Sequence, residues 1–200
     1  MTTSEIHKIC KEHDIKYYTI NDDMSISVNG SVGLAYRNLK SIPITFKEVS
    51  GYFSCSNNQL TSLEGCPGTV GGHFDCRRNQ LTSLEGCPET VGGDFYCNVN
   101  QLTSLEYCPE TVGGDFSCHS NNLTNFDGLP EFFEQSIYLS RNPVDEIYKL
   151  FNEDPRCIYW IREFGAIQGD EVVRDRLEEV YHTLGISIPK DIKLKKYILV

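Results

Sequence analysis

A nine-residue stretch, QLTSLEGCP at Gln59–Pro67, returns unchanged at Gln80–Pro88 and, with Tyr107 in place of glycine, at Gln101–Pro109. Each copy begins 21 residues after the one before it. A fixed period of this size is typical of a solenoid, in which each turn of the chain stacks on the next and cannot bury its apolar side alone. The stretch therefore predicts a repeat protein.

The same register extends in both directions and defines six coils over residues 29–147. The first and last coils carry Leu34 and Leu139 where the inner coils carry cysteine. In a strand such as residues 94–98, alternate side chains point to opposite faces, so we expect the apolar ones to point inward. Two rows are predicted to be inward: Phe53, Phe74, Phe95, Phe116 and Cys55, Cys76, Cys97, Cys118.

The run Phe-x-Cys-x-x-Asn-x-Leu-x-x-Leu, as in residues 74–84, resembles the leucine-rich repeat family. The cysteines and the Val-Gly-Gly at 70–72, 91–93 and 112–114 resemble the short repeats of tailed-bacteriophage and bacterial proteins. The resemblance implies an α/β solenoid, a right-handed coil with a parallel β-sheet on its concave face. It also implies that partners bind on that face.

Three further repeated features are predicted to support the coils. An asparagine after each strand (58, 79, 100, 121 and 142) can satisfy backbone groups of neighbouring coils, whereas the first coil has Arg37 there. The Gly-Gly pairs at 71–72, 92–93 and 113–114 would permit tight turns. The prolines at 67, 88, 109 and 130 favour an extended return side.

The nine cysteines allow three interpretations. Zinc requires four converging ligands, commonly with CxxC spacing, and the sequence has no CxxC. Disulfides are rare in the cytosol. We therefore favour small buried hydrophobes that fill a narrow core, and we predict no metal site and no cofactor.

The two ends depart from the period and are predicted to be caps. Residues 1–28 indicate a helix at Ser4–His13 and a β-hairpin. Residues 148–200 indicate a helical cap or small interaction region, with helices opened by Asn142-Pro143, Asp154-Pro155 and Asp170 and a final strand at Tyr197–Val200. Residues 29–147 are the repeats.

Composition limits the class of protein. The 200 residues carry a formal net charge of -10, which argues against nucleic acid or an anionic membrane as partner. The sequence has no apolar run long enough for a membrane span and no signal core at its start. These features predict a cytoplasmic protein, in the host cytoplasm if a phage encodes it.

The outward strand positions differ from coil to coil, unlike the inward ones. Tyrosine and arginine often anchor interfaces, and this surface contains both. Since residues 51–131 hold most of the negative charge, we expect a protein partner with an electropositive patch. The predicted partner-binding residues are Tyr36, Tyr52, His73, Asp75, Arg77, Arg78, Asp94, Tyr96, Asn98, Asp115, His119, Tyr138 and Arg141.

Catalytic alternatives receive less support. His73 or His119 with Asp75 or Asp115 could imitate an acid–base pair, but no nucleophile accompanies them. Cys157 could serve a ubiquitin ligase of the bacterial effector type, although its neighbours are apolar. A virion structural component is a third alternative. We predict a non-enzymatic protein-binding module, for which a phage origin would suggest a host factor as partner.

Overall fold

The computed structural model describes residues 1–129, 136–151, 154, 156–169, 171–189 and 192–200. Its first element is helix α1 at Thr3–Glu12, close to the range that the sequence predicts. The helix begins with a capping box: Thr2 Oγ1 accepts the Glu5 amide at 3.3 Å, and the Glu5 carboxylate accepts the Thr2 amide at 2.7 Å. One side of α1 is buried through Ile6 and Cys10.

The hairpin follows, with β1 at Tyr18–Ile20 antiparallel to β2 at Ile26–Val28. The described part of the repeats then contains ten short strands. They are β3 (Val32–Gly33), β4 (Phe46–Val49), β5 (Phe53–Ser54), β6 (Thr69–Val70), β7 (Phe74–Asp75), β8 (Thr90–Val91), β9 (Phe95–Tyr96), β10 (Thr111–Val112), β11 (Phe116–Ser117) and β12 (Ile137–Tyr138).

These strands form a β-solenoid of about five turns with two sheets. Sheet A has the order β1-β2-β4-β6-β8-β10, and sheet B has the order β3-β5-β7-β9-β11-β12. Except for β1, neighbouring strands are parallel. Within the repeats, residues paired between successive strands are 21 positions apart, as Phe74 and Phe95 are. The period in the sequence is therefore the register of both sheets.

Sheet A corrects the prediction of a single parallel sheet. We expected an extended return side, but each inner coil has a second strand there, such as Thr90–Val91. The threonine points outward and the valine is fully buried. Two alternating residues are too short a pattern to stand out in a sequence, because a typical strand has five or six.

The core between the sheets consists of stacked rows. Successive phenylalanine rings from Phe53 to Phe116 have centroids 5.8, 5.7 and 5.1 Å apart. The cysteines one position beyond each strand of sheet B are buried as completely as the rings. Both rows therefore have the inward orientation that the alternation predicts.

The Gly-Gly pairs are needed for a reason other than the one predicted. None of the six has positive φ, so the backbone conformation does not require glycine. Instead, a Cβ on Gly92 would lie 2.4 Å from the carbonyl oxygen of Gly71, and one on Gly113 would lie 2.5 Å from that of Gly92. Close contact between successive coils excludes any side chain.

The asparagine row connects the coils as predicted. Asn100 Oδ1 accepts the Leu81 amide at 3.1 Å, and its Nδ2 donates to the carbonyl oxygens of Cys76 and Cys97 at 3.2 and 3.1 Å. The other four asparagines make the equivalent bonds. At the first coil, Arg37 instead donates from Nη2 to the His13 carbonyl at 3.4 Å.

The C-terminal region contains three helices and a small sheet. The helices are α2 (Asp145–Leu150), α3 (Arg156–Glu163) and α4 (Arg174–Leu184). The sheet has the order β13-β14-β15, formed by Ile167–Gln168, Glu171–Val172 and Ile198–Leu199. The first two strands were not predicted. The region is joined to the last coils by hydrogen bonds such as that from Arg162 to the Leu129 carbonyl, 3.1 Å.

The predicted start of α2 is wrong. The helix begins at Asp145, after Val144, and no side chain caps it. Asn142 cannot serve as N-cap because its amide belongs to the asparagine row, with Oδ1 on the Leu123 amide and Nδ2 on the carbonyls of Cys118 and Leu139. Pro155 and Asp170, predicted at the starts of the next two helices, lie outside the described residues.

Candidate functional site

The predicted partner-binding residues lie on one surface, which we call the sheet B face. It consists of the residue before each strand of sheet B, the outward side chain of that strand, and the two positions that follow each inward cysteine or leucine. Their exposure differs widely. Exposed members are Tyr36, Tyr52, His73, Arg77, Arg78, Tyr138 and Arg141; half-buried members are Asp75, Asp94, Tyr96, Asp115 and His119. Asn98 is only 6% exposed, so its side chain offers little to a partner.

One outward row of this face supports the backbone. His73 Nδ1 accepts the Asp94 amide at 2.8 Å, Asp94 Oδ1 accepts the Asp115 amide at 2.8 Å, and Asp115 Oδ1 accepts the Ser136 amide at 3.1 Å. Each side chain thus receives the amide 21 residues ahead. In these three coils the slot therefore holds a side chain that accepts a hydrogen bond.

Asp94 is the centre of a small polar network. Tyr96 donates its hydroxyl to Asp94 Oδ2 at 2.6 Å, and this bond contributes most to lowering the pKa of Asp94. The same bond raises the pKa of Tyr96 to about 12. Asp94 Oδ2 also lies 3.2 Å from His73 Nδ1. The Tyr96 hydroxyl is therefore held inside the network.

Asp75 and Arg77 form a second pair on the face. Arg77 Nε lies 3.3 Å from Asp75 Oδ2, and the guanidinium carbon lies 5.4 Å from the centre of the Tyr96 ring. Burial raises the pKa of Asp75, while the Arg77 amide and guanidinium act in the opposite direction. Arg77 is thus partly engaged by its own coil and by the next one.

The remaining cations have fewer partners. Among the described residues, Arg78 and Arg141 make no ion pair, and His119 contacts the Ser120 hydroxyl at 3.1 Å. Burial lowers the pKa of His119, and the guanidinium groups of Arg141, Arg77 and Arg78 lower it further. These four side chains are therefore close enough to share one electrostatic environment.

Most exposed negative charge of the coils lies outside the sheet B face. The predicted electropositive partner and the predicted binding face therefore do not match in charge. The carboxylates of Asp75, Asp94 and Asp115 are half-buried and hydrogen-bonded. Besides Glu89 and Glu110, which directly precede strands of sheet A, the exposed acids of the inner coils form a row on the segment that leads from sheet B to sheet A: Glu64, Glu85, Glu106 and Asp127. An electropositive partner would meet this row, whereas the exposed charges of the sheet B face are mainly positive.

Among the described residues, neither histidine pairs with Asp75 or Asp115, the acid–base alternative considered from the sequence. His73 approaches Asp94, not Asp75 or Asp115, and its Nδ1 already accepts a backbone amide. A ring nitrogen that accepts this bond has no proton to share with the carboxylate, so the contact is not a base–orienter pair.

The cysteines are free thiols, and burial makes them poor nucleophiles. Burial raises the pKa of Cys157, which is fully inaccessible. Burial and the neighbouring Cys55 thiol raise the pKa of Cys66 in the same way. Within the residues that the structure describes, no three histidine, cysteine or acidic side chains are grouped to hold a metal ion.

Two left-handed positions were missed by sequence analysis. Every coil has one non-glycine residue at φ 54–60°, two positions after the inward cysteine or leucine, and in the fourth coil this residue is Val99. Tyr107 has φ 66° in a slot that holds glycine in three other coils, at 65, 86 and 128. Comparison of the copies could have identified the second position, since three of four have glycine.

Comparisons with protein-family models, curated proteins and solved structures find no match for this chain. Among the helices of the described residues, none has both the length and the apolar character needed to cross a membrane.

Proposed function

We propose that the protein is a non-enzymatic protein-binding module of the leucine-rich repeat type, which contacts its partner through the sheet B face. The main support is a contrast within each coil. The outward residue of sheet A is Glu48 and then threonine at 69, 90 and 111, whereas sheet B has Ser54, Asp75, Tyr96 and Ser117 at its equivalent positions. Both sheets have the same ladder geometry, so the fold does not require this variation.

Exposed tyrosines also support this proposal. Tyr36 is 78% exposed, and Tyr52 and Tyr138 are about half exposed. Tyrosine provides a large contact area at a low entropic cost and is enriched at interfaces. The three lie at the two ends of sheet B, so a partner that contacts all of them would span the whole face.

The cellular role forms a further part of the proposal and depends on the resemblance to phage repeats. A phage accessory protein of this class would bind a host defence or regulatory factor. The enzymatic alternative through Cys157 requires a reactive thiol, and the burial of this side chain argues against it. Alkylation of the native protein provides the test: rapid modification of Cys157 would favour the enzyme.

Site-specific crosslinking tests the binding face. A photoreactive phenylalanine analogue replaces Tyr52 or Tyr138 in cells that contain the partner, and Thr90 on sheet A serves as the matched control. We expect one crosslinked protein from both sheet B positions and none from position 90. Crosslinks of equal yield from all three positions would contradict a specific face.

A further inference from the structure

The Arg-His patch, which we define as Arg77, Arg78, His119 and Arg141, groups three guanidinium groups and one imidazole on a protein of net charge -10. Its members come from the third, fifth and sixth coils and are brought together by the stacking of sheet B. Arg78 and Arg141 are exposed and have no carboxylate partner among the described residues. Within the part of the chain that the structure describes, no ion pair neutralises their charge.

The spacing of the patch follows from the register. Arg78 and Arg141 occupy the same left-handed slot three coils apart, with φ of 54° and 60°. At a strand spacing of about 4.8 Å, three coils separate their backbones by about 14 Å. Between them the slot holds Val99 and Ser120, so the slot itself carries no charge between the two arginines.

We propose that the Arg-His patch binds an extended acidic peptide segment of the partner, with two carboxylates about four residues apart. This inference rests on the proposed function, since it names the partner chemistry of the same face. An extended peptide advances about 3.3 Å per residue, so four residues match the interval between Arg78 and Arg141. Side chains four apart in an extended chain also point to the same side.

The neighbouring groups favour a peptide over a nucleic acid. Arg77, beside Arg78 in the third coil, and His119, in the fifth coil, add donors for peptide carbonyls. The half-buried carboxylates Asp75, Asp94 and Asp115 line the same face and would repel a continuous phosphate backbone. Two separate carboxylates on a neutral peptide backbone bring less negative charge near these acids than a phosphate on every nucleotide does.

The test uses defined probes and the full chain. A synthetic peptide, acetyl-Gly-Glu-Gly-Ser-Gly-Glu-Gly-amide, is titrated against ¹⁵N-labelled protein while the arginine Nε–H and backbone resonances are recorded. We expect saturable shifts at Arg78, His119 and Arg141. Replacing both glutamates of the probe by glutamine should weaken binding about tenfold, the effect of losing two exposed ion pairs.

The variants assign the effect to the patch. Arg78→Glu with Arg141→Glu should lower the affinity at least about tenfold. Lys8→Glu with Lys40→Glu produces the same change in net charge at exposed residues elsewhere and should leave the affinity unchanged. An equal loss in both variants would show that only net charge matters and would overturn the proposal.

Other outcomes are equally decisive. Equal binding of the glutamine peptide, shifts confined to another surface, or tighter binding of a thymidine hexanucleotide would each overturn the acidic-peptide assignment. If crosslinking at positions 52 and 138 still captures a partner in such a case, the binding module stands and only its partner chemistry is wrong. If crosslinking also fails, the proposed function fails with it.

Discussion

The outer face of sheet A and the sheet B face are formed by the same coils, with the same parallel pairing and the same 21-residue register. On sheet A the outward row holds threonine in the three strands that follow Glu48, at 69, 90 and 111. On sheet B the outward rows contain serine, aspartate, histidine, arginine and tyrosine. Repetition on one face and variation on the other shows that the backbone ladder does not determine its outward side chains.

The variation on sheet B has two different origins. Asp94 and Asp115 accept a backbone amide from the next coil, so they contribute to the frame despite their outward position. Arg78 and Arg141 have no such role. The face therefore combines structural side chains with free ones, and substitution can separate the two groups.

The largest effect is expected where the coils are closest. Gly92→Ala would place a Cβ 2.4 Å from the Gly71 oxygen, and we expect a loss of about 3 kcal/mol in the free energy of unfolding by urea denaturation. Gly68→Ala is the control, since its Cβ would meet nothing closer than the Lys47 oxygen at 3.7 Å. Similar losses from both would show that close contact is not the reason for glycine.

The second-largest loss of stability is expected from substitution in the asparagine row. Asn100→Ala leaves the Leu81 amide and two carbonyls without their partner, which should cost about 2 kcal/mol in the same measurement. Gln101→Ala alters the adjacent exposed side chain and should change stability by less than about 0.5 kcal/mol. A smaller loss at position 100 than at 101 would contradict a structural role for the row.

The pH dependence of stability should reveal the structural role of Asp94 on the sheet B face. The Tyr96 hydroxyl is the main reason that the pKa of Asp94 lies below the usual 3.8. The stability that ionised Asp94 contributes is therefore complete above pH 3.8, and it is lost as the pH falls through the lower pKa of Asp94 in the folded state. Asp94→Asn should lower the free energy of unfolding by roughly 1 kcal/mol at neutral pH. The melting temperature of this variant should also fall less on acidification than that of the unsubstituted protein. Thr90→Ala, on sheet A, should leave the slope with pH unchanged.

The smallest effect is expected at the left-handed slot, and it is a gain. Val99→Asn replaces a β-branched residue at φ 58° by the residue that the second coil has there, Asn57, and should stabilise the protein by about 1 kcal/mol. Thermal unfolding measures the change. A lower melting temperature would mean that Val99 makes packing contacts worth more than its backbone strain.

Much of the fold could be predicted because its determinants recur at equal spacing. The inward rows, the asparagine row and the coil register all follow from one period. Sheet A could not be predicted, because a Thr-Val pair is too short to reveal its alternation. The extra pair β13 and β14 is equally short, with two residues in each strand.

The site could be predicted by position but not by role. Aligning the coils places Asp94, Asn98 and Arg78 on one face. It does not show that Asp94 accepts an amide, that Asn98 is buried or that Arg78 is unpaired. Those properties depend on the side chains of the coils on either side, which lie one period away in sequence.

The common step of both sheets also has an evolutionary consequence. Each inner coil contacts its neighbours through the same residues. A gene duplication of 21 codons therefore inserts one coil whose interior contacts repeat those already present. The insertion lengthens the recognition surface by one strand spacing, about 4.8 Å, and supplies a fresh set of outward positions. The chain can thus acquire a different binding partner by copying its own scaffold, without redesigning it.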